Sequence, residues 1–105
     1  MKKQMLKKGA RCNVTFNLSK EAVGEAKKVS LVGDFNDWDI KNPLAMKRQK
    51  NGSFQVRVTL KAGQDYHFRY LIDNEKWEND WSADRYESSP LYANVENSVV
   101  CLSQD

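Results

Sequence analysis

The sequence predicts an all-β chain folded as an immunoglobulin-like antiparallel sandwich of about seven strands. Three observations predict it. Apolar residues recur with a period of two; turn signals such as Asn51-Gly52, Ala62-Gly63 and Asp73-Asn74 punctuate the chain at close spacing; and no helical segment separates consecutive strands, which removes the alternation a parallel sheet needs. The 105 residues fit one domain, and 40% hydrophobic with 30% charged residues is the balance of a soluble globular fold. A chain this short buries only about 60 to 65% of the surface its unfolded form exposes, which leaves little material for a deep reaction cleft. A large multi-domain enzyme is not expected.

The elements follow in order. Residues 12–18 put Cys12, Val14, Phe16 and Leu18 on one side and Asn13, Thr15 and Asn17 on the other, as a strand with one wet face requires. Residues 19–27 have helix-forming composition, but Gly24 and the shortness of the segment predict a loop or a single turn. Residues 28–33 and 97–102 are short, Val-rich and bounded by polar residues, and read as strands. Residues 53–60 repeat the alternation, with Phe54, Val56, Val58 and Leu60 inward. From Asp65 to Asp73, Tyr66, Phe68, Tyr70 and Ile72 take the inward parity and His67, Arg69 and Leu71 the other, so Arg69 faces out. Asp73-Asn74 turns the chain into a short strand through Trp77, completing a hairpin.

The formal charge of +3 is unevenly placed. Lys2, Lys3, Lys7, Lys8 and Arg11 lie in the first eleven residues, which contain no acid; beyond them, 12 Lys and Arg meet all 14 Asp and Glu, a balance of about −2. Residues 1–11 therefore read as a basic, frayed tail, and residues 12–105 as the single module. The tail lacks interleaved aromatics and an amphipathic face, so neither a nucleic-acid arm nor a membrane anchor is expected. No apolar run is long enough to span a bilayer or serve as a secretory signal, and a cytoplasmic protein is the expectation. Cys12, Cys101 and the sole His67 have no zinc-like spacing; no metal or cofactor is called for. The two thiols would meet only if the first and last strands were neighbours, and in a reducing compartment they read as small hydrophobes.

Trp38, Trp77 and Trp81 fall at turns or strand ends amid Asp, Asn and Glu, off the inward positions. An indole laid against a sugar ring buries the sugar's apolar CH face while neighbouring polar groups satisfy its hydroxyls, so exposed Trp with a polar rim suits carbohydrate. Of the three, Trp81 is the one expected to fold back over the end of the core. Asp34, Asp37, Asp39, Asp73, Asp80 and Asp84 read as turn formers and caps, since glycoside hydrolysis needs two carboxyls in a walled site and loop acids on so small a sandwich stay solvated. His67 reads as an exposed strand histidine without a nucleophile beside it.

The runs VSLVGDFNDWD (29–39), YHFRYLIDNEKW (66–77) and ENSVV (96–100) resemble carbohydrate-binding module family 48. That family includes the glycogen-binding domain of the AMP-activated protein kinase β subunit and the N-terminal early-set domains of isoamylases and glycogen branching enzymes. The resemblance spans about residues 12–102 and rests on a Gly-x-Phe-Asn-x-Trp turn, an aromatic strand ending in Asp and a terminal Asn-Ser-Val-Val strand. It implies a non-catalytic domain that binds α-1,4-linked glucan such as glycogen or maltooligosaccharide. By position it assigns stacking to Trp38 and Trp77 and hydroxyl bonding to Arg69, which replaces a lysine. The loop 88–96 would add contacts from Tyr92, Asn94 and Glu96, whereas Asn97 reads as the structural start of the last strand. The alternative is a module that docks onto a glycogen-metabolising enzyme without binding sugar, for which the two indoles would be turned inward or covered.

Overall fold

The computed structural model describes residues 1–6, 10–90, 92 and 94–103. Along the chain run β1 (Lys2–Met5), β2 (Arg11–Leu18), the one-turn helix α1 (Lys20–Val23), β3 (Val29–Gly33), a 3-10 turn (Asp34–Asn36), β4 (Leu44–Ala45), β5 (Lys47–Arg48), β6 (Phe54–Lys61), β7 (Asp65–Ile72), β8 (Lys76–Glu78), β9 (Arg85–Ser88) and β10 (Glu96–Cys101). All strand pairs are antiparallel. One sheet has the order β1-β2-β6-β5; the other runs β4-β3-β7-β10-β9, with β8 added beside the second half of β7. The predicted sandwich is present, with ten strands among the described residues because several short edge strands join the expected set.

The alternation places the core where the sequence puts it. Cys12, Val14, Phe16 and Leu18 of β2 are buried and face Phe68 and Tyr70 of β7, which are fully enclosed. Phe16 meets Phe68 edge to face at 4.9 Å between ring centroids, and Phe68 meets Tyr70 at 5.7 Å. Such aromatic pairs add about 0.5 to 1.5 kcal/mol beyond the area they bury.

The segment 19–27 supplies its single turn, capped by Ser19. Asp73 and Asn74 both adopt positive φ (51° and 60°), and the Glu75 amide donates to the Ile72 carbonyl, so the expected hairpin turn forms.

The basic start differs from its reading as a frayed tail. Lys2–Met5 pair with β2 in the register Lys2↔Thr15 to Met5↔Cys12. All four side chains of β1 are exposed, so no alternation marks it; its ladder closes the edge of β2, and lysines on an edge strand discourage further pairing. Lys7, Lys8 and Gly9 lie outside the described residues. Cys12 and Cys101 are both free and sit in opposite sheets, Cys12 buried and Cys101 beside Arg85. No described helix is long and apolar enough to cross a membrane.

Candidate functional site

The turn after β3 builds the site. Gly33 lies so close to β7 that a Cβ there would come within 2.5 Å of the His67 carbonyl oxygen and 2.8 Å of Phe68 Cβ. Only glycine lets the turn rest on the sheet. Three contacts then fix the 3-10 turn. Asn36 Oδ1 accepts from the Gly33 amide at 3.0 Å, and the Trp38 amide donates to the Gly33 carbonyl at 3.0 Å. Phe35 inserts between Phe16 and Tyr66 at 5.7 and 6.1 Å. Asp37 and Trp38 both take left-handed backbone (φ 57° and 56°), a conformation costing non-glycine residues about 1–2 kcal/mol each. Strain held this firmly turns the Trp38 side chain out over the sheet instead of letting the chain relax.

Asp34 completes the support. Its Oδ1 accepts from Trp38 Nε1 at 2.8 Å and its Oδ2 from the His67 amide at 2.7 Å, so one carboxylate ties the indole plane to β7. On β7, Arg69 has the outward parity of His67 and Leu71, and β8 sets Trp77 opposite Leu71 on that same face. The rings of Trp38 and Trp77 come to 6.5 Å between centroids at an interplanar angle of 56°. Arg69 Cζ stands 5.8 Å from the Trp38 ring and 4.5 Å from the Trp77 ring. A guanidinium over two indoles gains cation–π attraction, strengthened by partial desolvation. Its Nε is buried without a hydrogen-bond partner, and burial lowers the Arg69 pKa from its ordinary value.

These groups border an open groove of about 630 Å³, within the size range of small-ligand sites. The structure brings four of the six sequence-predicted residues, Trp38, Arg69, Trp77 and Tyr92, to it. Asn94 and Glu96 are exposed and do not line it; Asn94 turns the chain with φ 62°, and Glu96 opens β10. Trp77 is 36% exposed and Tyr92 63%.

Asp34, Ile40 and Asn97 also line the groove and were not singled out for it by the sequence. Asn97, read as the start of the last strand, is 4% exposed; its Nδ2 lies 3.2 Å from His67 Nδ1, and its Oδ1 has no partner. The signal was parity. Val99 pairs with His67, so Asn97 two residues earlier shares the outer face of Arg69. His67 itself is half-buried, with Nε2 3.5 Å from Glu87.

Trp81 does not cap the core. It is 61% exposed and lies outside the groove. Among the described residues no group of three or more His, Cys, Asp or Glu is placed to hold a metal ion.

Fold and groove together define the class: a small β-sandwich recognition domain with an aromatic groove on the outer face of one sheet. A family model for the glycogen recognition site of AMP-activated protein kinase matches residues 18–100, and the chain belongs to that family. The family is a non-catalytic, carbohydrate-binding domain type, in agreement with the motifs at 29–39, 66–77 and 96–100. No curated protein matches the chain.

Proposed function

We propose that this domain binds α-1,4-linked glucan, such as glycogen or a maltooligosaccharide, in the groove and performs no chemistry on it. The observation that carries the reading is the pair of indoles at 6.5 Å and 56° with the Arg69 guanidinium over both rings. Successive rings of an α-1,4-glucan tilt relative to one another, so a curved chain meets angled platforms better than a flat floor. Trp38 and Trp77 stack on sugar CH faces. Arg69 donates to hydroxyls, the unpartnered Oδ1 of Asn97, buried at the groove wall, accepts from one that reaches it, and Tyr92 packs from the loop. Asn94 and Glu96 are given no sugar contact in this reading, since neither lines the groove.

The docking alternative needs these indoles turned inward or covered. Both line a surface groove and do not point into the core, which favours the sugar reading over inward-turned indoles. The site is shallow, so affinity for maltoheptaose is expected on the order of 10 µM to 1 mM, few contacts having to offset the ordering of a flexible sugar. Titration of maltoheptaose or β-cyclodextrin, followed by Trp fluorescence and calorimetry, tests it. Saturable binding in that range supports the reading, and silence up to several millimolar sugar overturns it.

A further inference from the structure

The third tryptophan occupies a site of its own. Trp81 follows β8 in a turn that the chain holds unusually firmly. Asp80 beside it, expected to stay solvated, is instead only 3% exposed; its Oδ2 accepts from the Tyr70 hydroxyl at 2.7 Å and its Oδ1 from the Ser82 amide at 2.8 Å. The Asp80 amide donates to Ser98 Oγ at 2.8 Å, and the Tyr86 hydroxyl donates to the Asp80 carbonyl. Ser98 Oγ in turn donates to Asn79 Oδ1 at 2.8 Å. Burying a carboxylate costs free energy unless hydrogen bonds replace its water, so this network is a deliberate anchor for the turn.

What the anchor carries is an open indole. Trp81 is 61% exposed, more than Trp77 at 36%, and its Nε1 donates to Glu78 Oε1 at 2.8 Å. A carboxylate three residues earlier thus fixes the ring plane, as Asp34 fixes Trp38 from four residues earlier. Beside Trp81 lies a hollow of about 210 Å³ lined also by Met1, Asn17, Leu18, Ser19, Asp80 and Ser82. It shares no lining residue with the groove. The volume is below the roughly 300–1,000 Å³ of drug-sized sites and suits a single pyranose ring. Asn17 and Ser82 are exposed, so their amide and hydroxyl are open to a ligand at the mouth of the hollow.

We infer that Trp81 and this hollow form a second, independent carbohydrate subsite that takes one glucose unit or chain end, the indole stacking on the ring and Asn17 and Ser82 bonding its hydroxyls. The ligand class rests on the glucan reading of the groove; the site stands on its own residues. A rigid aromatic platform loses little freedom when it binds. A branched glucan reaching both sites of one molecule, whose longest dimension is 39 Å, gains avidity that a short oligosaccharide does not.

The three indole N–H groups make the test direct, because each tryptophan gives one resolved NMR signal. Maltose and maltoheptaose are titrated into wild type, Trp38→Ala and Trp81→Ala. The expected result is a saturable shift of the Trp81 indole signal that persists in Trp38→Ala. Trp81→Ala is expected to keep maltoheptaose affinity at the groove within about twofold while lowering affinity for glycogen about tenfold. Asn17→Ala with Ser82→Ala, which leaves the turn's anchor untouched, is expected to weaken the Trp81 titration at least about threefold. A Trp81 signal that stays still while Trp38 and Trp77 move overturns the second site and leaves the groove reading intact. Movement of Trp81 alone supports the second site and overturns the groove; stillness of all three overturns both.

Discussion

Asp34 does two jobs with its two carboxylate oxygens, one for the Trp38 indole and one for the His67 amide. An amide has a single acceptor oxygen, so Asp34→Asn can serve only one donor and must present its NH₂ to the other. Losing one such bond costs about 1 kcal/mol, and maltoheptaose binding is expected to weaken about three- to tenfold by calorimetry, with the Trp38 indole signal displaced. Arg69 is the second residue whose identity matters. Arg69→Ala removes the donor over the rings and is expected to lower affinity about tenfold or more, whereas Arg69→Lys keeps the charge but not the plane that lies over two indoles, and falls between. The position of Arg69 was legible because a period of two fixes which side chains share a face. The double role of Asp34 was not, because a carboxylate in a turn has the same appearance in sequence whether it bonds its own loop or reaches across to β7. Asn97 hid for a related reason: its residue type and place at a strand start suit a structural role, and parity points it to the Arg69 face only once β10 is known to pair with β7, which sets its buried, unpartnered oxygen at the groove wall.

Elements show where pattern suffices and where it fails. β2, β6 and β7 were readable because each has one buried face, whereas β1, β4 and β5 are too short or too exposed to show an alternation. β9 escaped for the same reason: Arg85 and Tyr86 are exposed and its place is set by β10. The turn after β8 depends on a tertiary bond. Burial, then the Asp80 carboxylate, raise the Tyr70 hydroxyl's pKa, so it remains a donor to Asp80. Tyr70→Phe removes that donor and leaves one oxygen of a buried carboxylate unserved; a loss of about 2 to 3 kcal/mol is expected from the urea midpoint.

At the far end of β7, Asp65 accepts from the Leu102 and Ser103 amides and pairs with Arg85 at 3.1 Å. Burial pushes this carboxyl's pKa up, but the bonds from Ser103 and Arg85 outweigh it and leave the pKa lowered. A lowered folded-state pKa stabilises the fold above the unfolded value, near 3.9, and that contribution fades as pH falls through the folded value. The stability gap between wild type and Asp65→Asn is therefore expected to narrow as pH falls below about 4 in urea titrations.

Across the whole molecule the two sheets present opposite chemistries. The six-stranded sheet carries the groove, while the outer face of the other carries Lys2, Arg11, Lys47, Arg57 and Lys61 among Gln4, Asn13, Thr15, Asn17, Gln55 and Thr59, with no acid. Arg11 stands directly opposite Lys61, a like-charge pair that costs stability. Salt screens repulsion between exposed charges over a Debye length of about 8 to 10 Å near physiological strength. A neutral glucan in a groove on the other sheet feels almost none of that screening, and the stacking on Trp38 and Trp77 is not ionic. Raising NaCl from about 50 to 500 mM is therefore expected to raise the urea midpoint slightly while the maltoheptaose affinity changes less than about twofold. The two responses separate the faces: replacing Arg11 by Gln should remove most of the salt effect on stability and none of the binding. A glucan affinity that fell steeply with salt would mean that charge, and not the indole pair, holds the ligand.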